Sequence, residues 1–272
     1  AVYTLSLFLP FLWGILTSLR SREDFIMNGI LALPEKWMFS NYYKAFNNFW
    51  VQVEDGNSVK TVLLGQMFLN SVLYAGGTAL MSTLTPCIIA YLAAKYKFKF
   101  SRIVYITVIL VMTVPIVGNM PSMLETMRAL GLYDTYVGML LQKLNFANMY
   151  FIIFYGTFRS LAGDYAEAAK IDGASHSRIM FSIMFPLVGT TVGVVFLLNF
   201  IAYWNDYLTP MVYWPSRPTA ALGLFLYSKN SHVNSVPDQL AGCMLLIIPI
   251  FVLFLIFQKH LMGNIAIGGL KG

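Results

Sequence analysis

The stretch EAAKIDGASHSRIMFSIMFP, Glu167 to Pro186, holds two acids, two bases, a histidine and a glycine in a chain that is otherwise mostly apolar. Ala, Glu and Lys favour helix. Asp164, just upstream, suits the N-terminus of a short amphipathic helix, where a carboxylate faces the positive end of the dipole. Tyr165, Ala168, Ala169 and Asp172 fall at i, i+3, i+4 and i+7, which places the two alanines in one smooth patch. Gly173 ends this helix in the left-handed conformation. Ser175 caps the next helix, and Pro186 marks a kink or a turn into the membrane. The expected product is a helix–turn–helix with small residues at its tip. Small residues admit close approach, and Glu167 with Lys170 would set register. The residues alone leave two readings open: a docking handle for a partner's groove, or a solvated connector.

The surroundings decide where this segment lies. The chain has 272 residues, 58% hydrophobic and 11% charged, against roughly 25% charged and about 45–50% apolar in soluble domains. There are 15 methionines and 42 aromatic residues (21 Phe, 16 Tyr, 5 Trp). That leaves too little polar surface for a soluble skin, so the outside faces lipid. The net charge of +6 is spread thinly at the ends of apolar runs, a topology signal rather than a nucleic-acid patch. Cys87 and Cys243 sit inside apolar runs and read as small packing residues.

A spanning helix needs about 20 mainly apolar residues. Six runs qualify: 1–19, one within 62–94, 103–121, 136–158, 187–209 and 239–258. The fourth is interrupted by Gln142, Lys143, Asn145 and Asn148. The first run has no basic segment before it and no small-residue cleavage pattern after it, so a first span is expected there rather than a signal peptide. Six spans put both termini on one side. The loops after spans two and four, with the C-terminal tail, hold nine bases, densest in KYKFKFSR at 95–102. The other loops hold the remaining nine over about twice the length. Base density marks the first set as cytoplasmic, so residues 160–186 and both termini are expected in the cytosol. The outer loops are about 20–60, 122–135 and 207–238. The fold expected is all-α, one polytopic membrane domain over 1–272.

Several chemistries are absent from the sequence. It has no GxxxxGK[ST] for a nucleotide. His176, His232 and His260 lack metal spacing, and no serine sits in GxSxG. No acid lies deep in the spans, which speaks against a proton-driven carrier. The polar residues within the runs, among them Asn70, Ser82, Thr83 and Asn199, suit interhelical hydrogen bonds or a path for a neutral solute. Tyr203, Trp204, Asn205 and Asp206 combine aromatic faces with directional polar groups, the makeup of a sugar site. An interfacial aromatic belt would have the same composition.

The spacing E-A-A-x3-G-x9-I-x-x-P, here Glu167, Ala168, Ala169, Gly173, Ile183 and Pro186, resembles the EAA motif of permease subunits of binding-protein-dependent ABC importers. Phe185 stands where Leu is usual, keeping size and apolarity. Residues 70–101, ALGLYDTYVGMLL at 129–141, NFIAYWNDYLTPMVY at 199–213 and the terminal GGLKG are similar to the carbohydrate-uptake, MalG-type branch.

The resemblance implies type I importer architecture, with the EAA loop as a coupling helix docked on a cytosolic ATPase. Glu167, Ala168, Ala169, Asp172, Gly173, Ile183 and Pro186 would form that element, and Gly269 and Lys271 of the tail would reach the same subunit. The implied partners are a second permease in a heterodimer, two ATPase subunits that bind ATP and Mg, and an extracytoplasmic binding protein that delivers a saccharide. No cofactor is expected in this chain, no nucleic acid as partner, and a bacterial or archaeal cell membrane as location. Asn199 and Tyr203 to Asp206 are the candidate solute path. A permease for another solute such as glycerol phosphate is the alternative, and a membrane-embedded enzyme is a further one from a different class.

Overall fold

The computed structural model describes residues 2–55, 58–96, 100–114, 118–229 and 235–262. In chain order the elements are α1 (Val2–Ser18), α2 (Arg22–Met27), α3 (Ser40–Asn48), β1 (Trp50–Asp55), β2 (Ser58–Leu63) and α4 (Leu64–Lys95). Then follow α5 (Ser101–Thr113), α6 (Met120–Ala129), α7 (Tyr136–Leu141), α8 (Met149–Ser160) and α9 (Asp164–Ile171). The last are α10 (His176–Leu187), α11 (Gly189–Trp204), α12 (Leu208–Tyr213), α13 (Ala220–Lys229) and α14 (Val236–Met262).

The expectation of an all-α chain fails at one place. Residues 50–63 form an antiparallel hairpin with Val51 opposite Val62 and Val53 opposite Lys60. Val51-Gln52-Val53 alternates apolar and polar residues at period two, and both strands are rich in β-branched side chains, which suit a pleated, half-buried surface. Val51, Val53 and Val62 are buried accordingly.

Among the described residues, α4 and the 236–256 part of α14 are each long and apolar enough to cross a membrane. The α10–α11 pair, bent by 76°, adds a third if it is one span. The apolar runs at 103–121 and 136–158 do not remain single helices. The first stops at Thr113, before Pro115, and α6 opens at Met120. The second breaks at the polar cluster noted above: α7 ends at Leu141, and Asn148 caps α8 by accepting from the Tyr150 and Phe151 amides at 3.0 and 3.3 Å. An Asn that satisfies orphan amides favours a helix start over a continuing helix.

The chain packs as two units, residues 1–74 with 204–252, and residues 75–203 with 253–272. In the first, Phe49, Val51, Val53, Val62, Leu64 and Met67 form a core with Ala220, Tyr227 and Leu246. The segment after α1 is fastened by Arg20, which is fully buried at 0% exposure. Its guanidinium donates to both Asp24 carboxylate oxygens at 2.9 and 3.1 Å, to the Asp24 carbonyl at 2.7 Å and to the Gly29 carbonyl at 2.7 Å. Asn28 and the Glu35 amide complete the set around the carboxylate. The hydrogen bonds from Arg20, then from Asn28, hold the Asp24 carboxyl well below the usual carboxylate range.

The second unit has an aromatic core of Tyr91, Phe151, Phe154 and Phe158, joined by Ala169, Ile179, Met184 and Val188. A Cβ on Gly77 of α4 would lie 2.2 Å from the Tyr136 hydroxyl and 2.7 Å from Leu140 Cδ2, so a larger residue there would displace both side chains of α7.

Candidate functional site

The helix–turn–helix at 160–186 lies wholly within the second unit. Helix α9 opens with Asp164 and Glu167 in its first turn. It closes in a Schellman arrangement: the Gly173 amide donates to the Lys170 carbonyl at 3.0 Å and the Ala174 amide to the Ala169 carbonyl at 2.9 Å. Gly173 has φ +76°, the left-handed conformation expected of it. Ser175 then caps α10, its hydroxyl accepting from the Arg178 amide at 3.4 Å. The local chemistry read from the sequence is therefore present residue by residue.

The expected alanine patch is not. Ala169 is 7% exposed and packs into the core with Phe158 and Ile179, whereas Ala168 faces outward. Ala166 and Ala169, one turn apart, form the inward face. The exposed face carries Tyr165, Glu167, Ala168, Lys170, Ile171 and Asp172. Ile171 is 86% exposed, which sequence reasoning did not single out. It stands beside the exposed charges of Glu167, Lys170 and Asp172.

Further along, α10 contains a π-helical turn over Met180–Met184, closed by the Phe185 amide donating to the Met180 carbonyl. Pro186, with no N–H and a ring that crowds the preceding turn, explains the widened turn. The 76° bend itself follows after Leu187, so the kink expected at Pro186 falls at Val188. Ile183 is half-buried and packs on the second unit's core. Gly269 and Lys271 lie outside the described residues.

The proposed solute residues divide between the units. In the second unit, the Tyr203 hydroxyl bonds Ser82 at 2.7 Å, and the Asn199 amide donates to the Thr83 hydroxyl at 3.1 Å. Lys143, in the break between α7 and α8, places its ammonium 4.9 Å over the Tyr203 ring, a cation–π contact. In the first unit, Trp204 is 2% exposed and its indole N–H donates to the Leu246 carbonyl at 3.1 Å. Asp206 accepts from the Tyr74 hydroxyl at 2.9 Å and from the Thr209 amide at 3.0 Å. Both are internal fastenings. Asn205 is exposed and lines a cavity of about 530 Å³ with Tyr207, Phe225, Ser228 and Gln239, where Tyr207 and Phe225 stack at 4.3 Å. Among the described residues no group of three or more His, Cys, Asp or Glu could hold a metal.

Residues 87–267, which include the whole helix–turn–helix, match the family described as the binding-protein-dependent transport system inner membrane component. The chain belongs to that family. It is thus a membrane transport subunit rather than an enzyme. The chain is 27% identical over 271 residues to the diacetylchitobiose uptake system permease protein NgcG of Streptomyces coelicolor, covering 98% of this chain and 85% of the other. It is 28% identical over 267 residues to the arabinooligosaccharides transport system permease protein AraQ of Bacillus subtilis, covering 97% and 90%. The trehalose transport system permease protein SugB of Mycobacterium tuberculosis is 26% identical over 266 residues, with 92% and 96% covered. Among solved structures, a chain of a bacterial ABC transporter involved in the import of the acidic polysaccharide alginate shares the fold. Its TM-score is 0.72 at 23% identity, with 95% of this chain and 92% of that one covered.

Proposed function

We propose that this chain is the permease subunit of an ATP-driven importer that moves a sugar or oligosaccharide by alternating access. The observation that carries the proposal is the Gly173 helix–turn–helix, a rigidly capped element that presents Ile171 and a row of charges outward within the matched family span. We read it as the coupling element for a separate ATPase. Glu167, Ala168, Lys170 and Asp172 supply its outer surface. Ala169, Gly173, Ile183 and Pro186 give it shape. The relatives named for diacetylchitobiose, arabinooligosaccharides and trehalose support a saccharide as solute.

The remaining architecture follows as part of the same reading. The single membrane domain has six spans, the 160–186 loop and both termini are cytoplasmic, and the tail with Gly269 and Lys271 reaches the ATPase. ATP and Mg are bound by two partner ATPase subunits. A second permease completes the pathway, and an extracytoplasmic binding protein delivers the solute. ATP binding then favours one conformer of the membrane pair, and the population shifts by the difference in affinity between the two states. The solute path runs by Tyr203 and Lys143, both only partly buried.

The test is reconstitution of the whole complex in liposomes. Stimulation of ATP hydrolysis by the binding protein is measured across a panel of saccharides, with glycerol phosphate as a non-sugar control. At least one saccharide is expected to stimulate. Stimulation by the control alone overturns the sugar assignment.

A further inference from the structure

The C-terminal end of α4 is fastened to the helix–turn–helix at three points. Upstream of α9, the half-buried Lys95 ammonium donates to the Leu161 carbonyl at 2.7 Å. Downstream of Gly173, the Tyr96 hydroxyl bonds His176 Nδ1 at 2.9 Å, with the two rings edge-to-face at 5.5 Å. Between them, buried Tyr91 lies edge-on to Phe158 at 5.3 Å and to Phe185 at 6.2 Å. Two of these are specific hydrogen bonds on the two flanks of one capped loop. The third is an aromatic wedge just before the bend at Val188. A loop held on both flanks cannot shift without carrying its anchor.

The same helix carries Ser82 and Thr83, the groups bonded to Tyr203 and Asn199. From Lys95 back to Ser82 is about 20 Å of continuous helix at 1.5 Å per residue. Pro86 lies between them, and α4 remains one element across it. Helices transmit displacement along their axes because packed interiors are stiff.

We propose that Lys95 and Tyr96 are positioning residues that convert movement of the helix–turn–helix into movement of α4, and thereby of the Ser82–Tyr203 pair on the solute path. This rests on the reading of the loop as the ATPase coupling element. Lys95 and Tyr96 touch neither nucleotide nor solute. Their role is to keep hydrolysis and transport in step, and that is what their loss breaks.

The experiment uses the full complex in liposomes, comparing wild type with the Tyr96→Phe, Lys95→Met double variant. Solute moved per ATP hydrolysed is measured together with co-purification of the ATPase. The expected result is retained assembly and retained stimulated hydrolysis, with the transport-to-hydrolysis ratio down about fivefold or more, the low end of a coupling linkage. Lys95→Arg, which still reaches the Leu161 carbonyl, is expected to keep the ratio. An unchanged ratio in the double variant overturns the proposal, whether or not both rates fall together. Should the double variant not assemble, Tyr96→Phe alone is read by the same ratio. Glu167→Lys, run in parallel, separates the two readings: unchanged ATPase association and uptake in that variant sinks the coupling assignment itself.

Discussion

Two polar segments interrupt this apolar chain, and they use their charges in opposite ways. At 20–35, Arg20 and Asp24 turn inward, and the guanidinium and carboxylate satisfy each other and the neighbouring backbone. At 164–173, the backbone closes on itself through Gly173 while Glu167, Lys170 and Asp172 stay exposed. In the first segment charge is used to build the loop. In the second the turn is closed by its caps and anchored by Ala169, Lys95 and Tyr96, and its own charges stay exposed. The difference is between charges saturated by their own chain and charges left exposed, since a saturated side chain has little left to offer a partner.

The largest effect is expected where the second segment depends on one conformation. Gly173 stands in open space: a Cβ added there would meet nothing within 4 Å, so a substitution costs only backbone strain. Left-handed backbone costs an L-residue roughly 1–2 kcal/mol, and a β-branched one more. That is a factor of roughly 5–30 in the population of the correct turn. Gly173→Val is expected to lower uptake by the reconstituted complex about tenfold, and Gly173→Asn by less because Asn tolerates this conformation. Equal uptake by both variants would show that the turn is not what presents the charges.

The first segment gives a different signature. Asp24→Asn removes a carboxylate that Arg20 holds in its charged form. A carboxyl whose folded value is depressed stabilises the fold above its ordinary value, near 3.9, and that contribution is lost as pH falls below it. The thermal midpoint of the purified protein is expected to drop in Asp24→Asn at neutral pH. The gap to wild type should narrow only on acidification below about pH 4. Solute moved per ATP should not change. A variant with an unchanged midpoint but lost coupling would reverse the roles of the two segments.

Much of the 164–175 segment was legible because its determinants are local. Gly173, Ser175 and Asp164 act within one or two turns, and their offsets state their roles. Ala169 was not legible. Its burial depends on Phe158 and Ile179, which arrive from other helices, and a periodicity of 3.6 does not say which face meets them. The hairpin carried a period-two signal only in Val51 and Val53, because the second strand, SVKTV, does not alternate. Trp204 and Asp206 had the residue types of a sugar site. Only tertiary structure reveals that the Leu246 carbonyl and the Tyr74 hydroxyl already occupy them. Asn205, by contrast, is exposed and lines a cavity.

The smallest effect concerns Asn199, which sequence alone placed on the solute path. It is 5% exposed, and its amide donates to Thr83, so it resembles the saturated charges at 20–35 more than the exposed ones of the turn. Hydrogen bonds between membrane helices average about 0.6 kcal/mol in double-mutant cycles. A cycle of Asn199→Leu and Thr83→Val is therefore expected to give a coupling energy of about 0.6 kcal/mol in stability, with the half-saturating solute concentration for uptake unchanged in all three variants. A shift in that concentration with Asn199→Leu, absent in Thr83→Val, would mean that Asn199 leaves Thr83 during transport to meet the solute. Asn199 would then belong with the groups held in reserve, and saturation in one conformer would no longer separate structural from recognition residues in this chain.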